Sequence, residues 1–86
     1  MTKVGLEILD VLITNEATTA MQSMSVRQLY DAMPEQRRKS YSTIYRHLIH
    51  LTEKGYVDNA LDDGLSSTYI ITSTGKQLHD SLYKYK

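Results

Sequence analysis

Apolar positions along the chain recur with two different periods, and the change of period marks out its elements. Between Thr2 and Thr14, Val4, Ile8, Val11 and Leu12 fall at helical spacing, and Leu6, Leu9 and Ile13 widen the stripe. This predicts a first helix over residues 2–14, in which Gly5 costs about 1 kcal/mol and favours fraying of the opening turn. A polar stretch, Asn15 to Gln22, follows. Ser25 and Gln28 then form a capping box, and Val26, Leu29, Tyr30 and Met33 give one apolar face, so a second helix runs from about Val26 to Met33. Pro34 disfavours helical geometry at the residue before it, which ends that helix and leaves 34–39 as a turn. Ser40 suits the N-cap of a third helix running to about Lys54, and Gly55 suits its left-handed stop. Along this helix Ile44, Leu48 and Leu51 share a stripe with Tyr41 at its edge, while Ser42, Thr43, Arg46, Ile49, His50 and Glu53 lie opposite.

From Tyr56 onward the period shortens. Residues 56–60 and 66–72 read as two strands, and Leu61-Asp62-Asp63-Gly64 between them carries an Asp-Gly hairpin signal. Thr72 or Ser73 can cap a last helix over about 74–85, with Leu78, Leu82 and Tyr85 on one side. The order is helix, helix, helix, hairpin, helix, with no repeat or linker, so residues 1–86 form a single α+β domain that is mostly helical. Two short helices joined by a turn, the second followed at once by a two-stranded ribbon, make a helix-turn-helix over 25–54 with a wing over 56–72.

Composition narrows the function. A core of this size contributes only about 3–5 kcal/mol of stability, so self-association is expected. The first helix carries more apolar residues than one monomer core is expected to cover, and with the last helix it is the expected seat of a two-fold dimer. The absence of cysteine rules out disulfides and thiolate chemistry and fits a cytoplasmic protein. Val11-Leu12-Ile13 and Tyr69-Ile70-Ile71 are the longest apolar runs, too short for a membrane span or a signal-peptide core. No Gly-rich phosphate loop, cysteine nucleophile or carboxylate–histidine constellation suggests an enzyme. His47 and His50 sit at i and i+3, but no third ligand is placed to complete a metal site, and no cofactor is implied.

The net charge is zero, yet it is unevenly distributed. Residues 25–54 hold Arg27, Arg37, Arg38, Lys39, Arg46 and Lys54 against Asp31, Glu35 and Glu53, a balance of +3, and both flanks are acidic. Such asymmetry points one face toward an anionic partner. A DNA major groove admits one helix, and reading base edges needs donors and acceptors on its exposed side. Arg46 at the centre of the polar face is placed to donate twice to guanine, and Ser42 and Thr43 in the first turn to reach phosphate or a thymine methyl, with His50 beside them. Ser40 and the helix start form an anion site, Arg37, Arg38 and Lys39 would lie along the phosphate backbone, and Arg27 and Lys54 flank it. Tyr45, about 100° from the core stripe, either braces the DNA backbone or packs beneath the wing. Gly55 to Gly75 contains Asp58, Asp62 and Asp63 but no Lys or Arg, so minor-groove contact by a basic wing tip is not expected.

The segment Tyr41-Ser-Thr-Ile-Tyr-Arg-His-Leu-Ile-His-Leu-Thr-Glu-Lys-Gly-Tyr-Val57 resembles the recognition-helix pattern of PadR-like, MarR-like and Fur-like winged helix-turn-helix regulators. Tyr69-Ile-Ile-Thr-Ser-Thr-Gly-Lys76 is similar to the "Y-x-L-T-x-x-G" that closes the wing in PadR-like proteins. The Fur-like resemblance stops at the DNA-binding half, because no cysteine-rich metal site is present. The likeness implies a small homodimeric repressor-like regulator that binds a palindromic duplex site. Two alternatives stay open at this point: a winged-helix protein-interaction adaptor, which suits zero net charge and an acidic hairpin, and a DNA-binding protein of plasmid or phage replication or segregation.

Overall fold

Local capping fixes where each helix begins. The computed structural model describes residues 1–84, and in it helix α1 spans Lys3–Thr14, opened by Thr2, whose Oγ1 accepts from Gly5 N at 3.0 Å. Gly5 is therefore buried inside a capped turn, not in the frayed one that its low helix propensity suggested, and Met1 and Thr2 side chains fill the space beside it. Helix α2, Val26–Ala32, carries the full capping box, with Ser25 Oγ accepting from Gln28 N and Gln28 Oε1 from Ser25 N. It stops at Met33 before Pro34, and the turn beyond contains a 3₁₀ segment, Glu35–Arg37. Helix α3, Tyr41–Glu53, starts at Ser40 and ends where Gly55 takes φ +79°.

The wing is larger than a two-stranded ribbon. Strands β2, Val57–Leu61, and β3, Thr68–Ile71, pair antiparallel as expected, but Met24–Ser25 forms a further strand, β1, on the other side of β3. The sheet order is β1-β3-β2, with Met24 opposite Tyr69. Two residues are too few to show a period of two, which is why this strand left no trace in the pattern. The tip differs as well. Instead of a tight Asp-Gly turn, a loop with a 3₁₀ segment, Gly64–Ser66, joins the strands, Asp63 N donates to Ser67 Oγ at 2.7 Å, and the register shifts between Asn59 and Leu61.

Helix α4, Ser73–Lys84, returns along α1, where His79 Nε2 meets Asp10 Oδ1 at 3.1 Å. The expected place of Tyr85 on this helix lies outside the described residues. Thr72 sets its start: Oγ1 accepts from Gly75 N at 3.0 Å and donates to Gly55 O at 2.6 Å. One threonine thus caps α4 and ties it to the end of α3.

Ile8, Leu9 and Leu12 of α1, Leu29 of α2, Ile44 and Leu48 of α3, and Val57, Tyr69 and Ile71 of the sheet form one core. The expected surplus of apolar residues on α1 is mostly absorbed by it, since Leu9 is fully buried and Val4 and Ile13 pack against the cluster. A helix wedged among α2, α3, α4 and β3 buries more than one stripe. What remains toward solvent on the terminal helices is half-buried Leu6 together with Leu82 and Tyr83.

Candidate nucleic-acid interface

The buried stripe of α3, Ile44, Leu48 and Leu51, orients the helix and leaves Ser42, Arg46, Ile49, His50 and Glu53 exposed with Thr43 half-buried beside them. Ser40 Oγ accepts from Thr43 N at 3.3 Å and lies 3.0 Å from Thr43 Oγ1, so the two first-turn side chains are held by the cap. Arg46 Nη2 lies 3.4 Å from the same Thr43 oxygen, a long contact that leaves the guanidinium on the surface. Among the described residues no carboxylate stands within ion-pair distance of Arg46, Lys39 or Lys54.

The other cations are engaged elsewhere in the fold. Arg27 pairs loosely with Asp31 at 3.8 Å one turn along α2, and both side chains are well exposed. Arg37 reaches back to Glu7 of α1 at 3.3 Å. Arg38 departs furthest from the expectation of a phosphate contact. It folds inward, Nη2 donating to Met33 O at 3.1 Å and Asp31 O at 3.4 Å, with its guanidinium 4.7 Å above the Tyr30 ring. It therefore closes the C-terminal end of α2, whose last carbonyls have no helical partner. Tyr30 in turn meets Tyr41 edge-on at 4.5 Å, so Arg38, Tyr30 and Tyr41 set how α3 leaves the turn.

Tyr45 packs in part on the protein side. It is half-buried against the core beside Tyr69 of β3. Burial pushes the Tyr69 phenol above its ordinary value, hydrogen bonding to Ser67 opposes this, and the nearby Tyr45 adds to it. One residue beside this face that the sequence reading did not place there is His47. It borders the same concavity as Thr43, Arg46 and His50, four residues from Thr43 and three from His50, a spacing that was visible in the sequence.

A helix-turn-helix whose second helix presents unpaired donors to solvent, backed by an antiparallel wing, defines the winged-helix class of DNA-binding domains. The penicillinase repressor family matches residues 1–84, and the chain belongs to that family. Its members are DNA-binding transcriptional repressors, not enzymes, and the chain is a repressor-like regulator of this kind. The match supports the winged-helix architecture and not the PadR-like, MarR-like or Fur-like specification, and it favours repression over the adaptor and replication readings. No curated protein matches the chain. No helix among the described residues is long and apolar enough to cross a membrane.

Proposed function

We propose that the protein represses transcription in the cytoplasm by occupying a palindromic duplex site as a two-fold dimer, with α3 of each protomer in a major groove. The observation that carries this reading is the row of exposed Ser42, Arg46 and His50 with half-buried Thr43, in which Arg46 has no carboxylate partner among the described residues. A buried or paired arginine is a structural element, whereas an unpaired one at the centre of a helix face is available for the bidentate contact that guanine offers. Arg46 reads a base edge, with Ser42, Thr43 and His50 around it. Ser40, Lys39 and Lys54 meet phosphates at the two ends of α3, and Arg27 and Arg37 add exposed charge once their loose pairs rearrange. Arg38 and Tyr45 act from inside, by holding α3 at its angle to α2 and the wing.

No cofactor is needed for this mode of binding. The acidic wing tip, with Asp58, Asp62 and Asp63, stays off the phosphates, since like charge opposes close approach. Selection of bound sequences from random duplex DNA tests the proposal. The expected outcome is an inverted repeat with half-sites one helical turn apart, and retention of no sequence over background would overturn it.

A further inference from the structure

Two concavities border α3. One, of about 300 Å³, lies on the exposed face between Thr43, Arg46, His47 and His50. The other, of about 430 Å³, lies between α3 and the start of α1, with Met1, Thr2 and Gly5 on one wall and His47, His50 and Lys54 on the other. His47 and His50 border both, so they form the ridge over which the recognition face continues into the cleft.

The charges around His47 are of one kind. Its own helix brings Arg46, His50 and Lys54. From the start of α1 the wall brings Met1, Thr2 and Gly5, whose one titratable group is the amino group of Met1. The nearest contact is Thr2 Oγ1, 3.5 Å from His47 Nδ1. Among the described residues no carboxylate lines either concavity. The free fold therefore resists charging this imidazole: burial lowers the pKa of His47 from its ordinary value, and His50 and then Arg46 lower it further. Thr2 Oγ1 is a neutral neighbour, so it does not offset the cationic groups around the imidazole. Concentrated positive potential in a concave site is relieved by an anion, and an anion there favours protonated histidine.

We propose that the cleft between α1 and α3 receives a backbone phosphate of the bound duplex, with His47 as a phosphate ligand that gains its proton on binding. This rests on the DNA-binding reading above and extends it to a contact outside the groove. Protein on the operator then carries a proton that free protein lacks near neutral pH, so affinity rises as pH falls.

Residue-resolved NMR titration of the histidine ring protons, free and with the selected duplex at constant ionic strength, is the direct test. The His47 midpoint is expected to rise by about one pH unit on the duplex, equivalent to about a tenfold gain in affinity across the transition. His47→Gln should remove most of that pH dependence, and His47→Arg should restore tight, pH-independent binding. A midpoint unmoved by DNA, with Arg46→Ala still weakening binding, overturns the phosphate site and leaves the groove contact standing. Failure of the parent to bind any duplex at any pH overturns the DNA reading itself. A parallel titration with inorganic phosphate separates the two sources of the anion, because a shift with phosphate alone and none with duplex identifies a free-anion site and overturns the backbone contact.

Discussion

At the scale of single residues, Arg46 and Arg38 show how one side-chain type takes two roles eight positions apart. Arg46 is exposed and has no carboxylate partner among the described residues, so Arg46→Ala is expected to weaken specific binding by about 1–3 kcal/mol and to relax preference at one position of each half-site, while the thermal melt stays unchanged. Retention of full affinity in a variant that folds would place the groove contact elsewhere. Arg38 is tied to Asp31 O, Met33 O and the Tyr30 ring. Arg38→Ala should cost about 1–2 kcal/mol of stability by lost hydrogen bonds and cation–π contact, yet leave the salt dependence of binding as it was. Lys39→Ala should do the reverse, lowering the slope of log affinity against log salt by about 1 per protomer with no change in the melt. His47 adds a pH term. Its pKa in the free fold lies below the unfolded value, so unfolded chains bind the proton more readily and stability is lost as pH falls through 6.5 and below. His47→Gln should lessen that loss between pH 7.5 and 5.5, measured by thermal melts without DNA. The sign is opposite to the one expected for the affinity, which separates the fold's preference from that of the complex.

At the scale of elements, the junction between α3, the wing and α4 is the least tolerant part of the fold. Thr72 N donates to Tyr56 O, Thr72 Oγ1 donates to Gly55 O and accepts from Gly75 N, and Gly55 itself sits at positive φ. These bonds join the Lys-Gly-Tyr end of the recognition segment to the Thr-Ser-Thr-Gly start of α4, so two motifs far apart in sequence are one corner in space. A Cβ on Gly75 would collide with the Tyr56 carbonyl and approach Ile71 Cγ1 to 2.9 Å. Gly75→Ala should therefore destabilise the domain by at least about 2 kcal/mol, as overpacking against a backbone that cannot yield does. A melt within about 0.5 kcal/mol of the parent would show that the corner relaxes, the range typical of changes that touch no packed feature. Gly55 and Gly64, by contrast, have open space around them and are constrained only by backbone conformation.

At the scale of the molecule, the question is how two recognition helices come to one site. A single α3 reads only a few base pairs, and specific affinity ordinarily comes from paired half-sites. Among the described residues, exposed Leu82 and Tyr83 and half-buried Leu6 are apolar side chains of the terminal helices still open to pairing, while the core has claimed Leu9. The expected state on the operator is two protomers, where DNA supplies the effective concentration. Sedimentation analysis of protein alone and of protein saturated with duplex checks this. One protomer per duplex at saturation would remove both dimer and palindrome.

The sequence alone determined whatever depends on neighbours within about four positions. The caps Ser25 and Ser40, the stop at Pro34, the left-handed Gly55 and the buried Ile44-Leu48-Leu51 stripe are all short-range consequences of side-chain chemistry, and each stands where the pattern put it. The polar face of α3 followed from the same periodicity. Contacts between distant segments were decided only by tertiary structure. Residues 24–25 become a strand because β3 offers them an edge, and most of the apolar surplus on α1 is absorbed because α2, α3, α4 and β3 all pack against that helix. The basic triplet Arg37-Arg38-Lys39 looked uniform in sequence, yet it divides into a pair with Glu7, a clasp on α2 and an exposed cation with no ion pair among the described residues. Charge counts carry no direction, and a side chain long enough to reach several partners takes whichever one the fold brings within hydrogen-bonding distance.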